Sequence, residues 1–554
     1  MIALNAPAAP AAPATPAAHD VPSRPRQLVI LATCCLSLAL VTMDVTIVNV
    51  ALPAIRGDLH ASMAGLQWSI DGYTVIVASL LLLAGSLADR FGRRRTFQIG
   101  LCVFSLGSLL CSFAPNTPAL VAFRMVQAVG GSMLNPVAMS IIVHTFLEPR
   151  DRARAIGIWG AVFGASMAAG PLLGGLLVET IGWRSIFWVN VPIGIAALAL
   201  AARVIPESRA DRPRRFDLVA QAFVIVALLA LTAAVIDGRR VGWTSWPIAA
   251  GLATSLACIA GLVAWESRRR EPMLDLRFFR SLPFSAATLI AVVAFAAFSG
   301  FLFLNSLYLQ ESRGMRASLA GLATLPIAVA LMVCSPISGR LVGAGRVRRA
   351  LVISGAAMAL GALLLTQLAP DTSIAYLVAA YAIFGVGLGT VNAPITNTAV
   401  SGMPRSQAAL ASAVASTSRQ VGASLGVALA GSLASAGIDV AHRSAFASAT
   451  HVVFWVIAGL GAAIVVLGLA STGARAKASA ERVRFLLDLP LDLPLDPPLD
   501  PRLDPALAPR SPARAMNRPD SAAAPRTGDT LARDARLPAV PGPGPRSAAG
   551  GRGM

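Results

Sequence analysis

Gly85-Ser-Leu-Ala-Asp-Arg-Phe-Gly-Arg-Arg-Arg95 is a short, strongly basic segment set between two apolar stretches, each long enough to cross a bilayer. Its four arginines and one acid, Asp89, cannot reside in hydrocarbon, and Gly85 and Gly92 read as helix ends. The segment is expected to form a tight turn on the membrane face that retains positive charge. What flanks it is then membrane helix.

The 554 residues are 56% hydrophobic and 13% charged, too apolar for a chain whose whole surface is wetted. A formal charge of +19 raises the question of nucleic acid, but the arginines are spread over many short loops instead of one basic domain, which excludes that class of partner. All six cysteines lie in apolar stretches, so no disulfide framework is expected. The histidines lack metal-ligand spacing, and Lys477, the single lysine, sits in no phosphate-binding loop. Neither a metal nor a cofactor is expected, and energy must come from an ion gradient or a partner. A membrane-embedded enzyme would need a converging nucleophile, base or metal set, and the scattered histidines argue against one.

About fourteen apolar runs of bilayer-crossing length can be counted, the first at 28–50, the second at 66–87, the eighth at 246–265 and the thirteenth at 408–434. Alternate connections hold about 27 Lys and Arg on one side against about seven on the other. This asymmetry places both termini in the cytoplasm, with the chain a multi-pass protein of the inner (cytoplasmic) membrane. A decayed copy of the basic turn, Gly339 to Arg349, follows the tenth run, with Gly343 where the first copy has its acid. Two copies fit a transporter built from related halves. The expected organisation is an Ala/Pro-rich disordered leader at 1–25, a six-helix bundle at 26–205, two linking helices at 206–280, a second six-helix bundle at 281–475 and a disordered Pro/Ala/Arg-rich cytoplasmic tail at 476–554.

Within the spans, Asp44 is an embedded acid that is expected to face a polar cavity or to carry a proton part of the time. Asp71, in Gln67-Trp-Ser-Ile-Asp-Gly-Tyr73, reads either as a second proton-exchanging acid or as an interfacial or capping residue, because Trp68 and Tyr73 suggest the headgroup belt. Arg124 in the fourth span remains ionised at any working pH and needs a wet cavity or an anion. It heads a helical stripe with Gln127 and Gly131, and a structural ion pair is the alternative reading. Gly164, Gly170, Pro171, Gly174 and Gly175 in the fifth span read as a close-packing and hinge face. Arg419 is the embedded base of the thirteenth span and has no acid in its own segment.

These motifs resemble the major facilitator superfamily and, within it, the fourteen-helix drug:proton antiporters of the EmrB/QacA type. The basic turn resembles the superfamily signature between spans two and three. Arg124 to Gly131 is similar to the span-four motif, with Ala128 where glycine is usual, and Gly170-Pro-Leu-Leu-Gly-Gly175 to the span-five antiporter motif. Asp44 to Pro53 is similar to the first-span motif, and Trp183 to Pro192 to the span-six entry. The resemblance implies an all-α fold and an alternating-access, proton-coupled exporter of lipophilic neutral or monocationic drugs. Asp44, Asp71, Arg124, Gln127 and Arg419 would serve coupling or substrate, and Gly85, Asp89, Arg90, Gly92, Arg93 and Arg94 the gate. It implies a small lipophilic substrate, protons and the bilayer as partners of a monomer. Relatives that expel dications often carry more acids in the second half, and none is embedded there. A dedicated exporter of an endogenous metabolite, siderophore or lipid is the alternative.

Overall fold

A computed structural model describes residues 23–209, 217–269, 272–404, 407–438 and 443–488. Helices dominate the described residues, and no strand occurs among them. In order they are α1 (Arg24–Leu59), α2 (Met63–Phe91), α3 (Arg93–Ser112), α4 (Thr117–Thr145), α5 (Pro149–Thr180), α6 (Ser185–Trp188), α7 (Asn190–Val204), α8 (Leu218–Val241) and α9 (Trp246–Glu266). There follow α10 (Leu282–Leu307), α11 (Ala317–Ala323), α12 (Leu325–Gly343), α13 (Val347–Leu365), α14 (Ile374–Val400), α15 (Ala408–Ile438), α16 (Arg443–Ser471) and α17 (Ala474–Asp488). Taking α6 with α7 and α11 with α12 as continuous segments, 13 are long and apolar enough to cross a membrane. The remaining long helix, α15, covers the thirteenth expected run but is diluted by serines, Arg419 and Gln420.

Local chemistry sets where these helices begin. Ser62 caps α2 by accepting from the Gly65 amide, Asn116 caps α4 through Ala119 and Asp217 caps α8 through Ala220. α1 runs past both limits of its expected span, carrying Pro53 inside it and ending at His60 in the left-handed region. The basic turn is also tighter than its glycines suggest. Gly85 lies inside α2, and the whole reversal is made by Gly92 with φ +109° before α3 starts at Arg93. A side chain at 92 would also run into the Glu207 carboxylate. In the second copy of the turn Gly345 likewise takes a positive φ, +72°, with open space beside it.

The expected tail begins instead as ordered structure, because the prolines start only after 488 and the preceding residues bury an apolar face. In α17, Ala476, Ala480 and Val483 are buried, Ser479 accepts from the Leu282 amide at 3.0 Å and Leu486 O accepts from Arg277 at 2.8 Å. The rest of the expected tail and the leader up to residue 22 lie outside the described residues.

Successive helices run antiparallel, so the ends of the molecule differ. One face carries the arginine-rich turns. The N-terminal helices α1–α7 meet the C-terminal helices α10–α16 along α2 and α15, and at the opposite face around α11. There Arg56 pairs with Glu311 at 2.9 Å, Arg316 with Glu179 at 3.7 Å, and Gln310 donates to Val50 O at 2.9 Å. Small residues permit backbone contact along this seam. A side chain at Gly175 would overlap Ala317 O, and one at Gly321 would overlap Pro171 O. Gly170 and Gly174 similarly admit Thr46 and Ile47 of α1, whereas Gly164 has ordinary room beside Leu331. α8 packs on α9 and also against α2 and α15, bridging the two sets of helices.

Gly92→Ala meets both backbone strain and the Glu207 carboxylate, whereas Gly345→Ala meets only the strain, about 1–2 kcal/mol. Thermal unfolding of the purified variants should therefore show the larger fall in Tm for Gly92→Ala.

Candidate functional site

Where α1, α3, α4 and α7 converge, the structure closes a polar network around Asp44, which is fully buried. Arg124, 1% exposed, donates from Nη1 to Asp44 Oδ2 at 2.5 Å and to Gln127 Oε1 at 2.8 Å, and from Nε to Ser69 O at 3.1 Å. The other carboxylate oxygen, Oδ1, accepts from Gln127 Nε2 at 2.8 Å and from Asn190 Nδ2 at 2.9 Å. Ser108 Oγ accepts from the same two amides at 3.3 and 3.1 Å and donates to Phe187 O at 3.0 Å. An unpaired charge at this depth would be prohibitive. Each charge here has its complement.

Aromatic rings complete the seat. The Arg124 guanidinium lies 4.4 Å from the Tyr73 ring centroid and 5.8 Å from that of Phe187. The third member of the predicted stripe, Gly131, is what makes room, since any side chain there would overlap the Tyr73 hydroxyl. Tyr73 is 2% exposed and so is not a headgroup-belt residue, contrary to the expectation from its spacing to Trp68.

Arg124 is also part of the wall of a central cavity of about 120 Å³. Both sets of helices line it: Asn49 and Tyr73 from one, Phe298, Asn392 and Gln420 from the other. Asp44 is not in the wall, so the arginine stands between the carboxylate and the cavity.

The two acids picked out in the sequence are thus separated. Asp71 lies one turn beyond Gln67, which donates to Ala428 O of α15 at 2.8 Å, so Asp71 shares the face of α2 turned to α15. It is fully buried, and the hydroxyl of Ser424 on α15 lies beside its carboxyl. That corrects the interfacial and capping reading, the cap being Ser62. Arg419 donates from Nη2 to Ser416 Oγ at 2.7 Å on its own helix, makes no ion pair among the described residues, and leaves Nη1 without a partner. Its neighbours Gln420 and Ala423 reach the cavity wall.

At the basic turn, Arg93 pairs with Asp89 at 3.1 Å and its amide donates to Ser208 O at 2.9 Å. The Arg94 amide donates to Glu207 Oε1 at 3.2 Å and its guanidinium to Ala202 O at 2.5 Å, while Arg95 lies 3.8 Å from Glu207. The Arg90 guanidinium is over the Phe91 ring. The turn is thus tied to the end of α7 and the residues after it. Glu207 and Ser208 carry no motif that marks them in the sequence.

Against this geometry, the sequence profile of the Major Facilitator Superfamily matches residues 34–427. The chain belongs to that superfamily. Its similar relatives include the multidrug resistance protein Stp of Mycobacterium tuberculosis, 37% identical over 414 residues, covering 74% of this chain and 77% of that one. The tetracenomycin C resistance and export protein of Streptomyces glaucescens is 35% identical over 426 residues, 75% and 79% of the two chains. The methylenomycin A resistance protein of Streptomyces coelicolor is 33% identical over 446, or 80% and 92%. Among solved structures, an auto-inhibited peptide transporter of the POT family is similar with TM-score 0.57 and 18% identity, covering 81% of this chain and 96% of that one. A bacterial homologue of the lysosomal transporter Spinster, in an inward-facing and unoccupied conformation, is similar with TM-score 0.53 and 18% identity, covering 84% and 98%. This superfamily fold delivers Asn190 to the carboxylate and Ser108 to the amides that bind it, two residues the sequence reading missed. Asn190 lay inside the quoted span-six stretch, but only folding brings it to Asp44.

Removing one member of a buried ion pair leaves the other uncompensated, at about 3–5 kcal/mol. Asp44→Asn should lower stability by that order, and Asp44→Asn combined with Arg124→Gln should recover much of it. A double-mutant cycle on thermal or denaturant unfolding measures the coupling, and additive losses would contradict it.

Proposed function

We propose that the protein is a proton-coupled antiporter that exports lipophilic neutral or monocationic drugs across the cytoplasmic membrane by alternating access. The observation that carries this reading is the Asp44–Arg124 pair at the wall of a cavity shared by both sets of helices. In this reading there are fourteen membrane helices, two bundles of six with α8 and α9 added between them. Both termini and the arginine-rich face are cytoplasmic, the protein acts as a monomer, and the closed seam at Arg56, Glu311, Gly175 and Gly321 is the external gate.

A proton arriving on Asp44 cancels the charge that Arg124 faces. The guanidinium keeps its own charge, because it does not deprotonate at working pH, and retains its bonds to Gln127 and the Ser69 carbonyl. The cavity wall becomes more positive, which disfavours a bound cation and loosens the tie between α1 and α4. Loss of the proton reverses both effects. Asp71 provides a second site at the α2–α15 contact, where separation of the two bundles would give its carboxyl access to water. Asp89, Arg93 and the rest of the basic turn would lock the cytoplasmic face when it closes. Exchange of one proton for a monocation moves no net charge and draws only on the pH difference, about 1.36 kcal/mol per unit. A neutral cargo also gains from voltage, roughly 2.3 kcal/mol per 100 mV.

A narrower reading also has support. Two of the similar relatives carry names built on a single compound, tetracenomycin C or methylenomycin A, which favours a dedicated exporter. Resistance profiling across compound classes separates the two, since a dedicated exporter protects against few.

In inverted vesicles with an imposed pH difference, Asp44→Asn and Arg124→Gln should retain residual transport of a fluorescent lipophilic drug and lose its dependence on the gradient. Gradient-driven efflux at the wild-type rate in both variants would contradict the coupling assignment.

A further inference from the structure

We propose that a second, lateral cavity enclosed by α2, α8, α9, α10 and α15 binds lipophilic monoamines as ammonium ions, with Glu266 as their counter-charge. It has a volume of about 170 Å³ and shares no lining residue with the central cavity. Its walls are mainly apolar, including Leu82, Val224, Leu262, Val292 and Val421.

Into this oily space projects one carboxylate. Glu266, the last residue of α9, is 3% exposed. Its Oε2 accepts from the Leu274 amide at 3.4 Å, while Oε1 has no partner, and it makes no ion pair among the described residues. Two described arginines nearby have acids of their own. Arg269 lies 3.6 Å from Asp217 and over the Trp265 ring, and Arg277 is gripped by Asp275 at 2.8 Å. A second orphan, Thr417 Oγ1, lines the same cavity. The expected eighth span stopped one residue short of Glu266, and the three arginines after it made it read as loop.

The chemistry of the ligand follows from what the site lacks. An ammonium N–H supplies Oε1 with the donor and the charge it is missing, and an alkyl or aryl body fills the apolar walls. A neutral ligand leaves the carboxylate uncompensated. A dication brings a second charge against walls that hold no second acid among the described lining residues. The binding claim stands whether or not export is proton-coupled, so its failure and the failure of that reading are distinct.

The test uses the full chain in lipid nanodiscs, labelled with octylamine bearing a photoreactive diazirine and, in parallel, with the corresponding diazirine octanol, the adducts being mapped by mass spectrometry. The amine should label peptides containing Val224 and Leu262 in preference to the alcohol. Glu266→Gln should reduce amine labelling there about tenfold, the loss expected for one charge-assisted hydrogen bond, and leave alcohol labelling unchanged. Val421→Trp, which fills the cavity while keeping Glu266, should abolish both. Equal labelling by amine and alcohol in the unaltered protein identifies a lipid-chain cavity and overturns the proposal, as does undiminished amine labelling in Glu266→Gln. Should Glu266→Gln fail to fold, the amine preference of the unaltered protein and its loss in Val421→Trp decide the matter.

Discussion

A guanidinium and a carboxylate held 2.5 Å apart, both shut away from solvent, set the terms for the surrounding helices. Neither Asp44 nor Arg124 can be buried alone, and even together they recover their lost hydration only if the remaining lone pairs and N–H groups are met. Gln127, Asn190 and the Ser69 carbonyl meet them, and Ser108 holds the two amides in place. Those partners come from α2, α3, α4 and α7, so satisfying one ion pair fixes the mutual register of five helices. The same arrangement leaves Arg124 at the cavity wall with its counter-ion behind it, where a change on the carboxylate is felt by whatever occupies the cavity.

The two faces of the molecule are held differently. At the arginine-rich face the basic turn is anchored to Glu207 and Ser208 beyond α7, on its own side of the structure. At the opposite face α5 meets α11, and ion pairs cross from α1 and α5 to the residues flanking α11. α8 complicates a simple two-part picture, since it touches α2 and α15 together and helps to enclose the lateral cavity.

Much of this was readable from the residues because a bilayer leaves helices few choices. Apolar runs mark the spans, and Asp44, Arg124 and Gln127 stand out since ionisable groups in such runs need a reason to be there. What escaped notice has physical causes. Ser108 and Asn190 are small polar residues of a kind that membrane helices often carry, and only tertiary contact shows that Asn190 serves a carboxylate and Ser108 the amides around it. Tyr73 looks like a belt residue until the fold places it beneath Arg124. Glu266 is masked by the arginines that follow it, although its side chain turns inward. α17 is too polar to register as a span and lies beside a proline-rich stretch, yet it docks through backbone carbonyls and hydroxyls that hydropathy does not weigh.

The seam between α5 and α11 is made of main chain: Gly175 rests on Ala317 and Gly321 on Pro171. The glycine contacts themselves freeze almost no rotamers, and the side-chain ordering at this seam is confined to its flanking ion pairs. Under the alternating access proposed above, such a seam opens along main chain and not through a cargo-specific side chain.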